Sequence, residues 1–409
     1  DFPRQWFKPA GAIDEIVAPW LLGGLPEPFF AWIHYSDPHE PYTPPELEYP
    51  EVEVLVNGTP AATMRADGYG LRLPLELGPD LPEATIELRR PRGAAGSGTP
   101  LSFRGLRAMK VEGGVLSSHL GTGWSREVGS EPRFQQESSL PAEVHLRLEE
   151  GGPVSSVFYA SCTEVLAIDE VRRRYADEVR HVDRSIGRLL DAMAERGLLE
   201  RSVIVLMSDH GEGLGDHGLI GHVEQLYETL IRVPLIISAP GIEGGRVVRT
   251  PVALVDVAPT LLDLLDLAPW EGTRGRSLQR LLAGEPGGAA PPLVATTRRP
   301  QAARDRSAVV HGGHKLIATE HDAGRTLELY DLTTDPMEQA DLAADLVATR
   351  ESLVTELETA LRTARDDRTA PDTTPVELDP ERKMQLEALG YAVSDDSAGA
   401  GGAPQGEAP

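Results

Sequence analysis

"VLMSDHGEGLGDHGLIGH", Val205 to His222, places three histidines, three acidic residues and five glycines directly behind a hydrophobic run. That run starts upstream as "SVIVLMSD", a nearly continuous apolar stretch of the kind covered on both faces in parallel sheets, and "VPLIISAPG" is a second one. Before it, Tyr175, Val179, Val182, Ile186, Leu189 and Met193 recur three or four apart, which predicts a long amphipathic helix stopped by Gly197. After it, Asp256 is placed to cap a helix through "APTLLDLL", with Pro259 tolerated in the first turn. Strands alternating with helices predict an α/β fold. In open α/β sheets ligands bind beyond the carboxyl ends of the strands, and Asp209 and His210 fall at such an end.

A carboxylate beside an imidazole at a strand end can hold a divalent cation, while Gly211, Gly213, Gly215 and Gly218 let the backbone approach a ligand closely. His222 follows twelve positions after His210 and can return to the same cavity. The spacing alone equally suits a solvated acidic loop, and Glu212, Asp216 and His217 read as loop residues. A second cluster, "HYSDPHEPY", carries His34, Asp37 and His39 in a loop stiffened by Pro38 and Pro41. A histidine there could donate to an anionic oxygen or protonate a leaving group. The run before it, "FFAWI" from Phe29 to Ile33, predicts a buried strand.

Outward from these blocks the character changes. Between about residues 46 and 160 "VEVLVNG" and "YGLRLPLEL" alternate as half-buried strands do, and Asn57-Gly58 is a hairpin signal, so an all-β insertion is expected. "GEPGGAAPP" is a linker into shorter β-like pieces and a charged helix, "RESLVTELETALRTAR". The expected domains are a partial catalytic α/β domain at 1–45, the β-rich insertion at 46–160, the catalytic domain continued at 161–284, an α+β subdomain at 285–392 and a disordered tail at 393–409.

Composition limits the function. With 64 acidic against 39 basic residues and a formal charge of −25, most of the surface repels nucleic acid, and an anionic substrate must meet a local positive centre. The single cysteine, Cys162, excludes a disulfide within the chain and reads as a small buried residue. No run of 18 apolar residues occurs, so no membrane span is expected. The opening "DFPRQWFKPAGAIDEI" has neither an initiator methionine nor a signal-peptide pattern, and an N-terminal part is expected to be missing.

Several blocks in order, "FFAWIHYSDPHEPYTPP", "YADEVRHVDRSIGRLLDAMAERGLLERSVIVLMSDHGEGLGDHG", "GHVEQLYETLIRVPLIISAPG", "PVALVDVAPTLLDLL" and "LELYDLTTDPMEQADLA", resemble the sulfatase family of the alkaline-phosphatase superfamily. The resemblance implies a sandwich with a mixed, mostly parallel central sheet, here N-terminally truncated, and sulfuric ester hydrolysis of a sulfated small molecule or glycan. It implies that Asp209 and His210 are metal ligands and that His39 and His222 are catalytic, His39 assisting departure of the alcohol and His222 binding sulfate oxygens. One divalent ion is implied, calcium by family, with manganese or zinc also compatible because His210 supplies nitrogen. Export is common in the family. The family's upstream acidic metal ligands and its Cys/Ser-x-Pro-x-Arg motif, source of the formylglycine nucleophile, do not occur before Phe29, and "YASCTEV" around Cys162 lacks that pattern. The alternatives are a phosphate or phosphonate ester hydrolase of the same superfamily, or a non-catalytic binding protein on a degenerate scaffold.

Overall fold

The computed structural model describes residues 10–366 except 24–27, 36, 39–41, 43, 45–46, 67–70, 78–79, 81, 90–100, 113–114, 121–123, 128–132, 137–141, 151–153, 165, 223–224, 271, 287, 298–304 and 322. The expected tail at 393–409 lies outside the described residues. The chain divides into two compact units, residues 1–198 and 199–409.

The first unit opens with helix α1 (Ala10–Leu22) and closes with helix α2 (Ile168–Glu195), which pack on each other. Between them run ten strands: β1 (Glu51–Val56), β2 (Thr59–Arg65), β3 (Leu71–Leu77), β4 (Glu83–Arg89), β5 (Leu101–Glu112), β6 (Val115–Leu120), β7 (Trp124–Glu127), β8 (Arg133–Gln136), β9 (Ala142–Glu150) and β10 (Val154–Glu164). They form two five-stranded antiparallel sheets, ordered β2-β1-β4-β9-β6 and β3-β10-β5-β8-β7. The alternation read from the sequence in what are now β1 and β3 is the cause, and β4 repeats it. In β4, "EATIELR", Ala84, Ile86 and Leu88 are buried and their neighbours are not. Those residues meet Leu75, Leu77, Leu101, Phe103, Phe158 and Cys162 of the other sheet in one apolar core. Asn57 and Gly58 both take positive φ, 51° and 77°, as a two-residue turn between β1 and β2 requires.

The amphipathic pattern at 175–193 is α2, and Gly197 (φ 61°) ends it. Gly197 N–H donates to Ala194 O at 2.9 Å and Leu198 N–H to Met193 O at 2.9 Å, so two carbonyls of the last turn find donors just beyond the helix end. The run Phe29–Ile33 differs from expectation. It forms no strand among the described residues, and Phe30 and Trp32 are 76% and 70% exposed. A strand needs a hydrogen-bonding neighbour, and apolar composition alone does not supply one.

The second unit contains β11 (Ile204–Met207), β12 (Gly213–Leu214), β13 (Ile220–Gly221), α3 (Glu228–Ile231), β14 (Leu235–Ser238), α4 (Val257–Leu264), α5 (Gln279–Leu282), β15 (Leu293–Thr297), β16 (Arg306–His311), β17 (His314–His321), β18 (Gly324–Asp331) and α6 (Val347–Asp366). The two apolar runs expected as strands are β11 and β14, and they pair antiparallel, Ile204 opposite Ser238. Asp256 precedes α4 but does not cap it. Its carboxylate instead accepts Ala253 N–H at 3.0 Å and Arg276 N–H at 2.9 Å, because the chain folds back on itself there.

Strands β15 to β18 form a sequential antiparallel sheet. On one face Val309, Leu316, Ala318 and Leu329 pack against Leu353 and Leu357 of α6. On the other, Ala308, Ile317 and Tyr330 pack against Leu226, just before α3. No helix among the described residues is long and apolar enough to cross a membrane.

Candidate functional site

Strand β11 delivers the chain to Asp209 and His210, and the backbone then turns sharply under close constraints. Ser208 Oγ donates to His210 O at 2.6 Å, and His210 N–H donates to Asp209 Oδ1 at 3.0 Å. Gly211 N–H donates to Leu230 O at 2.7 Å, and a Cβ on Gly211 would lie 2.0 Å from Thr229 O, so no side chain fits. β12 and β13 then form a small hairpin, with Gly213 opposite Gly221 and its tip closed by Gly215 N–H on Leu219 O at 2.7 Å. At the tip His217 adopts a left-handed conformation, φ 53° and ψ 22°.

The hairpin returns the chain so that the His222 ring stacks on the His210 ring, centroids 4.3 Å apart and planes 27° apart. Asp209, His210 and His222 are therefore brought together, although the two histidines are twelve positions apart in the chain. His39 lies outside the described residues. In the first unit His34 is exposed, and the Asp37 carboxylate accepts the N–H of Ala10, the first residue of α1, at 2.9 Å.

The donor set fits a cation as far as it goes. His210 Nδ1 is 2.8 Å from Gly211 O, and since a carbonyl only accepts, Nδ1 carries a proton, which in the neutral ring leaves the lone pair on Nε2. Nε2 is 3.9 Å from Asp209 Oδ2, and that carboxylate is 60% exposed. A ring fixed by a backbone carbonyl with its second nitrogen beside a carboxylate is how proteins orient imidazole ligands. Two ligands are fewer than the four of a zinc site or the six to eight of calcium. Among the described residues no group of three or more His, Cys, Asp or Glu side chains could hold a metal ion.

Two residues gain importance only from the tertiary structure. The Glu212 carboxylate, read as part of a loop, is 4% exposed with Oε1 3.4 Å from His222 Nδ1. The only hint in the sequence was its place between two glycines, two positions after His210. Tyr227 lies face to face with His217, ring centroids 3.8 Å apart and planes 3° apart, and its hydroxyl donates to Glu328 Oε2 at 2.8 Å. Burial, then the hydrogen bond to Glu328, push the Tyr227 phenol up to about 12. Tyr330 donates to the same oxygen at 2.7 Å, and burial with the same carboxylate raises its phenol further still. Cys162 is fully buried in the sandwich core, out of reach of any substrate.

The chain matches the family model "Sulfatase" over residues 10–267 and the model "N-sulphoglucosamine sulphohydrolase, C-terminal" over 215–367. It is 32% identical over 177 residues to choline-sulfatase of Rhizobium meliloti, covering 42% of this chain and 33% of that protein. It is 28% identical over 214 residues to arylsulfatase K of Mus musculus, covering 49% of this chain and 38% of that protein. A solved structure of a protein in complex with its substrate D-glucosamine-2-N,6-O-disulfate is 27% identical, with a TM-score of 0.45 over 50% of this chain and 43% of that one. The chain thus spans about a third of the length of the curated relatives it matches. With well over half of its 409 residues inside the first family model, including the strand end of Asp209 and the hairpin that returns His222, this chain belongs to the sulfatase family of hydrolases.

Proposed function

We propose that the chain carries the downstream part of a metal-dependent sulfuric ester hydrolase site, acting on a sulfated small molecule or glycan. The observation that carries this reading is the convergence of Asp209, His210 and His222 at the end of β11. Asp209 Oδ2 and His210 Nε2 would hold one divalent cation, calcium, manganese or zinc, which when bound supplies positive charge to the non-bridging oxygens of the ester. With Nδ1 turned to Glu212, His222 uses Nε2 to meet a sulfate oxygen. His39 donates a proton to the departing alcohol, because S–O cleavage builds negative charge on that oxygen. The nucleophile is the formylglycine that the family carries upstream, and the buried thiol of Cys162 has no part in it.

The test uses the intact gene product, assayed with an aryl sulfate and an aryl phosphonate and with each of the three metals. Sulfate ester hydrolysis that falls at least about a hundredfold in Asp209→Asn and in His222→Ala supports the reading. A preference for the phosphonate transfers it to the sibling chemistry. Turnover of neither ester by a protein with a complete upstream motif overturns it in favour of a binding protein.

A further inference from the structure

The geometry points to α3 as a bracket through which the β15–β18 sheet positions the candidate site, with Tyr227 and Lys315 as positioning residues. This rests on the reading of Asp209, His210 and His222 as the site. A four-residue helix cannot hold its own shape in water, so the place of α3 is set by what it touches.

On the site side it touches the loop at two points. Gly211, adjacent to His210, donates its N–H to Leu230 O and lies against Thr229 O with no room for a Cβ. The tip of the hairpin is clamped where the left-handed His217 lays its ring flat on Tyr227. The beginning of the loop and the far end of the hairpin are thus both referred to α3, and His222 leaves directly from that hairpin.

The same α3 segment is also tied to the sheet and to the loop beyond it. Tyr227 and Tyr330 donate to one oxygen of Glu328. Lys315 is completely buried, with Nζ 3.1 Å from Glu228 Oε1 and 2.8 Å from Glu338 Oε1. The second contact is an ion pair whose angle falls short of a hydrogen bond. The other oxygen of Glu338 accepts the Glu228 N–H at 2.6 Å, so one ammonium and two carboxylates enclose the first turn of α3. Ester hydrolysis makes no use of these groups, and two carboxylates near one buried ammonium tolerate little displacement. Lys315 comes from 87 positions further along the chain than Glu228, so the register of the site depends on a sheet remote in sequence.

The experiment is hydrogen exchange on the full chain, comparing peptides of 209–222 with peptides of α6, in Tyr227→Ala and Tyr227→Phe. Tyr227→Ala, which removes the stack, is expected to speed exchange at 211–221 about tenfold and leave α6 unchanged. Tyr227→Phe keeps the stack and the packing of the ring on the sheet, and is expected to stay within about threefold of wild type. Lys315→Met cuts the ion pairs that tie the sheet to Glu228 and Glu338, and is expected to speed exchange at 211–221 about tenfold; wild-type exchange there in Lys315→Met overturns the part given to the sheet. If Tyr227→Ala yields no folded protein, His217→Ala removes the other half of the stack and carries the same expectation. Wild-type exchange in the hairpin, or acceleration of α6 by the same factor, overturns the proposal. Titration with inorganic sulfate separates this from the site reading. If His222→Ala binds sulfate as wild type does, the site reading fails, whereas the exchange result judges the bracket alone.

Discussion

Gly211 is where the candidate site tolerates least, because its missing side chain lets the backbone touch Thr229 and Leu230. In Gly211→Ala the methyl group must push the loop away from α3, since its obstacle is a backbone carbonyl that cannot rotate aside. The expected loss is about 1–3 kcal/mol in urea denaturation, as for overpacking elsewhere. A neighbouring position tests orientation instead of space. Glu212→Gln keeps an oxygen or nitrogen near His222 Nδ1, whereas Glu212→Ala leaves the ring without it. Inorganic sulfate is expected to bind the glutamine variant within a few-fold of wild type and the alanine variant about tenfold more weakly, which calorimetry can read. Equal affinities in all three proteins would remove Glu212 from the site.

At the scale of elements, α2 shows how a helix with little help at its start is held. No side chain caps its N-terminus, but Asp169 and Glu170 lie in the first turn, where the helix field favours negative charge. Hydrogen bonds from Arg173, opposed by partial burial and reinforced by Arg174, hold the Glu170 carboxyl down at about 2. A carboxyl lower in the fold than in the unfolded chain binds protons more weakly when folded. Its contribution to stability is therefore present above its ordinary value of 4.5 and is lost as pH falls toward 2. Urea midpoints of wild type and Glu170→Gln are expected to differ at pH 6 and to converge only as pH falls to about 2, as judged by helical circular dichroism. A difference that stays constant across that range would show that the carboxylate charge is irrelevant to α2.

Over the whole molecule, the two units have separate apolar interiors of different construction. The sandwich core is closed by the fully buried rings of Phe103 and Phe158 from neighbouring strands of one sheet, against Val52, Val54, Ile86 and Leu88 of the other. Phe158→Ala would leave a cavity that strands on both sides cannot close, at a cost of about 3–5 kcal/mol in chemical denaturation. The second unit buries its four-stranded sheet on both faces, with α6 on one and the segment of Leu226 and Tyr227 on the other. The candidate site therefore stands near the second face of a sheet, and loops far downstream take part in holding it.

The sequence alone determined what depends on neighbours in the chain. The period of α2, its stop at Gly197, the turn at Asn57-Gly58 and the alternation in β1 and β3 all follow from local spacing and local φ. The glycines of the Asp209 loop were legible as a tight approach, but the atoms approached were not. Only tertiary structure decided that Phe29–Ile33 has no described strand partner, that β11 and β14 run antiparallel, and that Asp256 turns away from α4. Only it put the His222 ring on His210, Glu212 behind His222, and Lys315 beneath α3. The reason is that composition and period bias each segment's own conformation, whereas a ladder partner, a ring stack or a buried ion pair is chosen by whichever distant segment the complete fold brings within a few ångströms.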